Sequence, residues 1–167
     1  VGIVYGQGIV GNTGVTSGRN QKLEIKGDLY DMDGHSLQDV KLYAIWTGEN
    51  HFTVGEKISF SGELIPFSDA SVPGGYDENL YLRTRGYDGK IYPDSITYLG
   101  EDHSISSELA RIRAKVHLTL DQILPAEESG IMKAMLTGDR EDIPDEAYQM
   151  YTHAGVVHIL CISGLHM

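Results

Sequence analysis

The spacing of the apolar residues changes once along this chain, close to residue 104. Between residues 22 and 100, apolar residues recur at every second position within short runs, whereas after residue 104 they recur at every third or fourth position. A period of two places side chains alternately on the two faces of a strand, and a period of three to four places them on one face of a helix. The chain is therefore predicted to fold as a β region followed by an α region.

The runs of the β region alternate apolar and polar residues. In "KLEIKGDLY" the apolar set is Leu23, Ile25 and Leu29, and "VKLYAIW" and "EKISFSGEL" follow the same rule. Two shorter runs, "KIYP" and "SITYLG", come after the loop "PFSDASVPGGYDEN". Several short strands separated by turn material predict a small closed or nearly closed barrel. Residues 21–103 are of a suitable length for an OB-like five-stranded barrel.

The α region is predicted to contain amphipathic helices. The first is expected over residues 107–124, with Ser106 or Ser107 as its cap. Two more are expected over residues 125–136, with Gly138 as the stop, and over residues 144–154, ending at Gly155. The apolar run that follows would be a fourth element. The first helix has an apolar stripe that is expected to pack on protein or on a membrane surface: Leu109, Ile112, Val116, Leu120 and Ile123.

Composition limits the classes of function. The net charge of −11 disfavours diffuse binding to nucleic acid or to an anionic membrane, so any anion site must be a local basic patch. The apolar run at the end, like the apolar run at the start, favours a fragment of a longer protein over a natural beginning and end. No run reaches the roughly 18 apolar residues of a membrane span. The single Cys161 excludes an internal disulfide.

Three groups of residues have the chemistry of an active or metal site. His158, Cys161, Ser163 and His166 are of types that bind zinc or attack substrates, but their spacing matches no such motif, and helix packing or a polar pathway is the preferred interpretation. The acidic pair in "DMDGH" lacks the remainder of a calcium loop and is interpreted as a hairpin turn. "GQGIVG" lacks the strand-turn-helix context of a dinucleotide site. No catalytic residue, metal ligand or cofactor is therefore assigned.

The outward face of the strands combines cations with aromatic rings. Extending the alternation through "YLRTRGY" adds two arginines to this face. Such a face suits single-stranded nucleic acid, because rings stack on bases while Lys and Arg meet phosphates. An ordinary solvated sheet face with Lys/Tyr cross-strand pairs is the alternative, and the pattern alone favours it. The predicted DNA-binding residues are Lys26, Lys41, Tyr43, Lys57, Arg83 and Arg85.

Three segments resemble the ComEC family of bacterial DNA-uptake channel proteins. "HILCISGLH" resembles the signature of the family's competence domain, through His158, Ile162, Ser163, Gly164 and His166. "LTGDREDIP" resembles its Gly-Asp-Arg segment, and "PGGYDENLYLRTRG" resembles the loop that closes its N-terminal domain. The sequence departs from the family pattern at these positions: Tyr76, Glu78, Tyr87 and Cys161.

The resemblance implies a domain organisation and a location. Residues 1–20 are expected to be a tail after an upstream membrane span, 21–103 an OB-fold domain outside the cytoplasmic membrane, and 104–167 the truncated helical start of the channel domain. The terminal motif is then a packing or channel element. Many members also carry a nuclease-like domain, which is not expected within these 167 residues. Expected partners are single-stranded DNA, the membrane through flanking segments, and other competence proteins.

Three functions remain open from the sequence. The first is an extracytoplasmic module that guides or binds single-stranded DNA during natural transformation. The second is a structural brace of the pore that never touches DNA, which the acidic charge favours. The third is a DNA-cleaving domain, for which the sequence offers only scattered carboxylates and no clustered metal ligands.

Overall fold

A computed structural model of the chain describes residues 2–15, 20–68, 77–139, 143 and 145–155. The chain divides into two compact units, Val1–Ala110 and Arg111–Met167. The predicted terminal motif from His158 to His166 lies outside the described residues, as do Tyr76 and Arg140.

The first unit is built on a closed sheet of five strands: β1 (Gly2–Val15), β2 (Gln21–Asp31), β3 (Ser36–Trp46), β4 (Glu56–Ile65) and β5 (Gly89–Glu101). The strand order around the ring is β1-β2-β3-β5-β4. Neighbouring strands are antiparallel except β3 and β5, which are parallel. The predicted β-plus-α fold with a small closed sheet is confirmed.

The interior of the sheet holds the apolar residues that the alternation selected. Leu23, Ile25 and Leu29 of β2 are all buried, and β3 contributes the next alternating set from Val40 to Trp46. The indole N–H of Trp46 donates to the carbonyl of Asn50 at 2.8 Å, so the ring is buried without an unsatisfied donor. These side chains form one continuous hydrophobic cluster. Burial of one face explains why the period of two was readable in the sequence.

The first strand corrects the prediction for the N-terminus. Residues 1–20 were expected to be a tail after a membrane span, whereas β1 pairs with both β2 and β4 and closes the ring. Its glycines, which resemble turn material in the sequence, allow the backbones to approach closely. A Cβ on Gly6 would lie 2.4 Å from the carbonyl oxygen of Asp28, and one on Gly27 would lie 2.1 Å from that of Gln7. Glycine therefore stands where closure leaves no room for a side chain.

The segment before β5 is also corrected. The alternation in "YLRTRGY" predicts a strand, but α1 (Glu78–Thr84) is a helix. The Asp77 carboxylate accepts the backbone N–H of Leu80 at 2.8 Å and caps the helix, and Leu82 is buried. Gly86 ends the turn with a φ of +75°, a conformation that favours glycine. "KIYP" and "SITYLG" are one strand, β5, whose pairing with β4 shifts register near Pro93.

Three further helices follow: α2 (Ile105–Ile123), α3 (Ala126–Thr137) and α4 (Asp145–His153). The predicted cap of α2 at Ser106 or Ser107 is wrong by two or three residues. Asp102 accepts hydrogen bonds from the hydroxyls of Ser104 and Ser107, and Ser104 Oγ accepts the N–H of Ser107 at 3.3 Å. Ser104 therefore occupies the capping position, and the helix starts at the next residue. None of the described helices is both long and apolar enough to cross a membrane.

The second unit has a small core of its own. Ala134, Ile143 and Ala147 are buried together, with Ile131, Met135 and Tyr151 packed on them. Gly138 ends α3 with a φ of +74°, as the sequence predicted. Within the apolar stripe of α2, Leu120 is buried, but Leu109, Ile112 and Ile123 are 61%, 60% and 68% exposed.

A polar contact joins α2 to α3 inside the second unit. Lys133 is only 5% exposed, and its ammonium contacts both oxygens of Asp121, at 2.7 and 2.9 Å. The Ser129 hydroxyl donates to the same carboxylate at 2.7 Å. Although burial opposes ionisation, the hydrogen bonds from Lys133 and Ser129 hold the pKa of Asp121 below its ordinary value. Pairing of this kind is what allows a lysine to be buried.

Candidate nucleic-acid interface

Cations and aromatic rings meet on the outward side of β2 and β3. We define the β2–β3 face by six residues that contact one another: Glu24, Lys26, Lys41, Tyr43, Arg85 and Tyr87. Register places Lys26 opposite Lys41, and Glu24 opposite Tyr43. The last two members belong to the turn between α1 and β5, which lies beside β3.

Backbone contacts fix that turn against β3. The N–H of Asp88 donates to the carbonyl of Lys41 at 2.8 Å, and the Asp88 carboxylate accepts the N–H of Lys41 at 2.8 Å. The Lys41 ammonium donates to the Arg85 carbonyl at 3.0 Å. Because β3 and β5 then run parallel from Leu42 and Gly89, Arg85 and Tyr87 are held at the edge of β3.

The rings form a connected group with the cations. The Tyr43 and Tyr87 rings meet edge to face, with centroids 5.6 Å apart. The Lys41 ammonium lies 4.4 Å from the centre of the Tyr87 ring, and the Arg85 guanidinium lies 4.3 Å from that of Tyr81. Such contacts favour a cation over an aromatic face. The aromatic surface is therefore ordered before any ligand arrives.

One carboxylate organises this face. Glu24 accepts the Tyr87 hydroxyl at 3.1 Å and contacts the ammonium groups of Lys41 at 3.2 Å and Lys26 at 3.6 Å. The Lys41 side chain is 25% exposed, whereas that of Lys26 is 56% exposed. Lys26 is therefore the more accessible of the two cations, and Lys41 acts chiefly within the protein.

Both tyrosines keep their protons near neutral pH. Burial, together with the charge and hydrogen bond of Glu24, raises the pKa of Tyr87 well above its ordinary value. Burial is also the main cause that raises the pKa of Tyr43. A neutral phenol does not repel phosphate, so both rings are suited to stacking beside a nucleic-acid backbone.

The other predicted residues lie apart from this group. Lys57 is on β4 and pairs with Asp102 at 3.2 Å, next to the cap of α2. Arg83 is on α1, where its Nε donates to Asn79 at 2.6 Å and its guanidinium lies 5.8 Å from the Phe67 ring. The structure thus brings together Lys26, Lys41, Tyr43 and Arg85 of the predicted set. Their role in binding DNA stays a prediction.

Sequence reasoning missed Glu24 and Tyr87. The alternation of Glu24 with Lys22 and Lys26 places it on the outward face, but a carboxylate is not a residue type expected to contact DNA. Tyr87 follows Arg85 by two positions, and its contact with β3 depends on the parallel pairing of β5, which no local pattern indicates.

Among the residues that the structure describes, one group of possible metal ligands occurs in the β2–β3 hairpin. Ligand atoms of Asp31, Asp33 and His35 lie within 4.8 Å of one another. Asp31 accepts the N–H groups of Asp33 at 2.9 Å and His35 at 2.8 Å, and its second oxygen lies 2.9 Å from Nδ1 of His35. The side-chain hydrogen bond with His35 is the main cause that lowers the pKa of Asp31. These contacts explain the cluster as a hairpin turn without an ion.

Residues of two family-like segments have structural roles. Asp77 caps α1, Leu82 anchors it, and Gly86 ends its turn. Of the Gly-Asp-Arg segment, Gly138 ends α3, and a carboxylate oxygen of Asp139 lies 4.0 Å from Nδ1 of His117. Asp77, Gly86 and Gly138 therefore lie at helix ends, whereas Leu82 is buried within α1.

Two comparisons with known proteins agree with these motifs. The family described as "Competence protein" matches residues 135–167. ComE operon protein 3 of Bacillus subtilis is 32% identical over 113 residues, which cover 68% of this chain and 15% of the relative. The aligned part is thus a small share of the relative's length. Taken together, these matches show that the chain belongs to the ComEC-type competence proteins.

Proposed function

We propose that this chain is part of a protein that takes up DNA during natural transformation, and that its β2–β3 face binds single-stranded DNA weakly and without sequence preference. The match to the family described as "Competence protein" and the similarity to ComE operon protein 3 support the first part. The observation that carries the second part is the connected group of Tyr43, Tyr87 and Lys41 on one side of the sheet, with the backbone of Arg85 held beside it by Lys41.

The proposed location follows from the family. The closed sheet is an OB-type module on the extracytoplasmic side of the bacterial cytoplasmic membrane, and the helices lead into the channel domain. Membrane contact is made by flanking segments, and other competence proteins are the proposed partners. In this role the chain binds and guides a strand and catalyses no reaction.

Binding is expected to be modest. Each stacked base contributes about 1–3 kcal/mol, and the face offers two neighbouring rings that are both partly buried. Glu24 already contacts both lysines of the face, and the net charge of −11 repels a polyanion at long range. Salt screens that repulsion beyond about 8 Å at physiological strength. Short-range stacking is therefore the term that decides affinity.

Fluorescence anisotropy with labelled oligonucleotides tests this role. Tyr43→Ala and Arg85→Ala are each expected to weaken binding at least about fivefold, the lower end of the stacking range. Tyr98→Ala is the matched control, because Tyr98 is an exposed tyrosine of β5 outside this face. Equal affinities for wild type and all three variants would refute a DNA contact here.

A structural brace is the second candidate function. It is favoured by one observation: the Lys41 ammonium is engaged by Glu24, by the Arg85 carbonyl and by the Tyr87 ring. If the brace is correct, Lys41→Met lowers stability while no oligonucleotide binds at low salt. The third candidate, DNA cleavage, would show as strand scission that depends on Mg²⁺ or Mn²⁺.

A further inference from the structure

A concave surface lies on the outward side of β2, β1, β4 and β5. Strand register places one row of residues straight across these four strands: Tyr30, Tyr5, Ser61 and Ser95. The neighbouring row crosses the first three: Asp28, Gln7 and Ser59. We call this surface the tyrosine groove. It shares no residue with the β2–β3 face.

Side-chain size shapes the groove. The Tyr5 and Tyr30 rings stack on each other with centroids 5.7 Å apart and planes 18° from parallel, and they form one wall. The serine side chains on β4 and β5 are short, so they leave space beside the two rings and form the floor of the groove. The resulting cavity has a volume of about 520 Å³, within the range of small-molecule sites. Tyr5 is 48% exposed, so its ring is accessible to a ligand.

The polar groups of the groove are hydroxyls, an amide and one carboxylate. Ser61 and Ser95 hydrogen-bond to each other at 2.9 Å, and either hydroxyl can be the donor. Asp28 uses Oδ1 to accept the N–H of Asp39 at 3.1 Å, which fixes its carboxylate beside Gln7. Among the described residues that line the groove there is no Lys or Arg. The site offers hydrogen bonds and an apolar wall, but no positive charge.

We propose that the tyrosine groove binds a neutral oligosaccharide. The electron-rich face of an aromatic ring attracts the weakly positive C–H groups on the flat side of a pyranose. Serine hydroxyls, the Gln7 amide and the Asp28 carboxylate can exchange hydrogen bonds with sugar hydroxyls, which have both donor and acceptor capacity. A few converging polar groups beside an aromatic wall are the usual composition of a small-ligand site.

The charges that line the groove favour a sugar over a nucleotide base as the ring that stacks on Tyr5. A base stacked on Tyr5 would bring its phosphates near Asp28, with no lining cation to neutralise them. A neutral sugar carries no such cost. Stacking of a nucleic-acid base is therefore the competing occupant that the experiment must exclude.

The test uses the 167-residue chain and three soluble probes: N,N′,N″-triacetylchitotriose, cellotriose and maltotriose. Aromatic proton–carbon NMR spectra are recorded during each titration. At least one trisaccharide is expected to shift the ring resonances of Tyr5 and Tyr30, while those of Tyr98 stay in place. This wild-type measurement does not depend on any variant folding. If no trisaccharide shifts the two rings at its solubility limit, the proposal is overturned.

Variants of Tyr5 then test whether the two stacked rings contact the saccharide. Tyr5→Ala is expected to lower the affinity for the trisaccharide at least about fivefold, as measured by calorimetry, because one aromatic contact is lost. Tyr5→Phe keeps the ring and should retain binding within about twofold, since the loss of one exposed hydroxyl contributes little. Tyr43→Ala on the β2–β3 face should leave the saccharide unaffected. Unchanged saccharide affinity in Tyr5→Ala would refute the proposal, as would an oligonucleotide that shifts the Tyr5 and Tyr30 rings when no trisaccharide does.

Discussion

Replacing Glu24 by Gln is expected to strengthen DNA binding. Glu24 places a negative charge 3.2 Å from the Lys41 ammonium and 3.6 Å from that of Lys26. The Gln side chain retains an oxygen that can accept the Tyr87 hydroxyl, so the arrangement of the rings should persist. The substitution therefore removes charge from the β2–β3 face with little change in its shape.

The size of the effect follows from the distances. A phosphate on the far side of either ammonium would lie about 6 Å from the Glu24 carboxylate. Two unit charges at that distance repel by roughly 0.7 kcal/mol in water, and physiological salt reduces this to about half. Two such phosphates give about 0.7 kcal/mol in total, or roughly a threefold gain in affinity. If each freed lysine adds one phosphate contact, the slope of log K against log salt steepens by about 1.4 for a single strand.

Anisotropy titrations across a series of salt concentrations measure both quantities. Glu63→Gln is the matched control, because it removes the same charge from an exposed position on β4. The control should change affinity by much less than Glu24→Gln. The reasoning is refuted if Glu24→Gln lowers affinity, leaves the salt slope unchanged, or has the same effect as the control.

Three predictions concern the closed sheet. Gly27→Ala should destabilise the protein by about 3 kcal/mol in urea unfolding, because the new Cβ would clash with the β1 backbone. That backbone cannot move aside as a flexible side chain would. An unchanged free energy of unfolding would contradict the close approach of the two strands. Ile91→Ala should lower the free energy of unfolding by about 2–5 kcal/mol in the same assay, because Ile91 is fully buried. A change near zero would contradict the placement of Ile91 in the core. Hydrogen bonds from Ser104 and Ser107, and then Lys57, hold the pKa of Asp102 below its ordinary value of 3.8. The stability from this group is therefore present above about pH 4 and is lost as the pH falls towards the lower native pKa. Asp102→Asn should flatten the acid limb of a thermal-unfolding profile, and an unchanged limb would contradict the assignment.

The sequence alone determined the elements whose signal is local. Alternation in β2, β3 and β4 identified the buried face, because a half-buried strand repeats every two residues whatever its partners are. Gly138 marked the end of α3, because a residue in the left-handed region favours glycine in any context. The family motifs were likewise readable in the sequence.

Only the tertiary structure decided the rest. In the sequence, the glycines of β1 resemble turn residues. Glycine is needed there because the backbones of strands distant in the chain approach β1 closely. The alternation of "YLRTRGY" resembles a strand, but the Asp77 cap and the buried Leu82 make it a helix. The candidate sites depend on the same long-range pairing. Parallel contact of β5 with β3 brings Tyr87 to Glu24, and β1 brings Tyr5 beside Tyr30. Closure of the five-stranded sheet therefore determines which side chains contact each other, because strand register joins residues that are far apart in the chain.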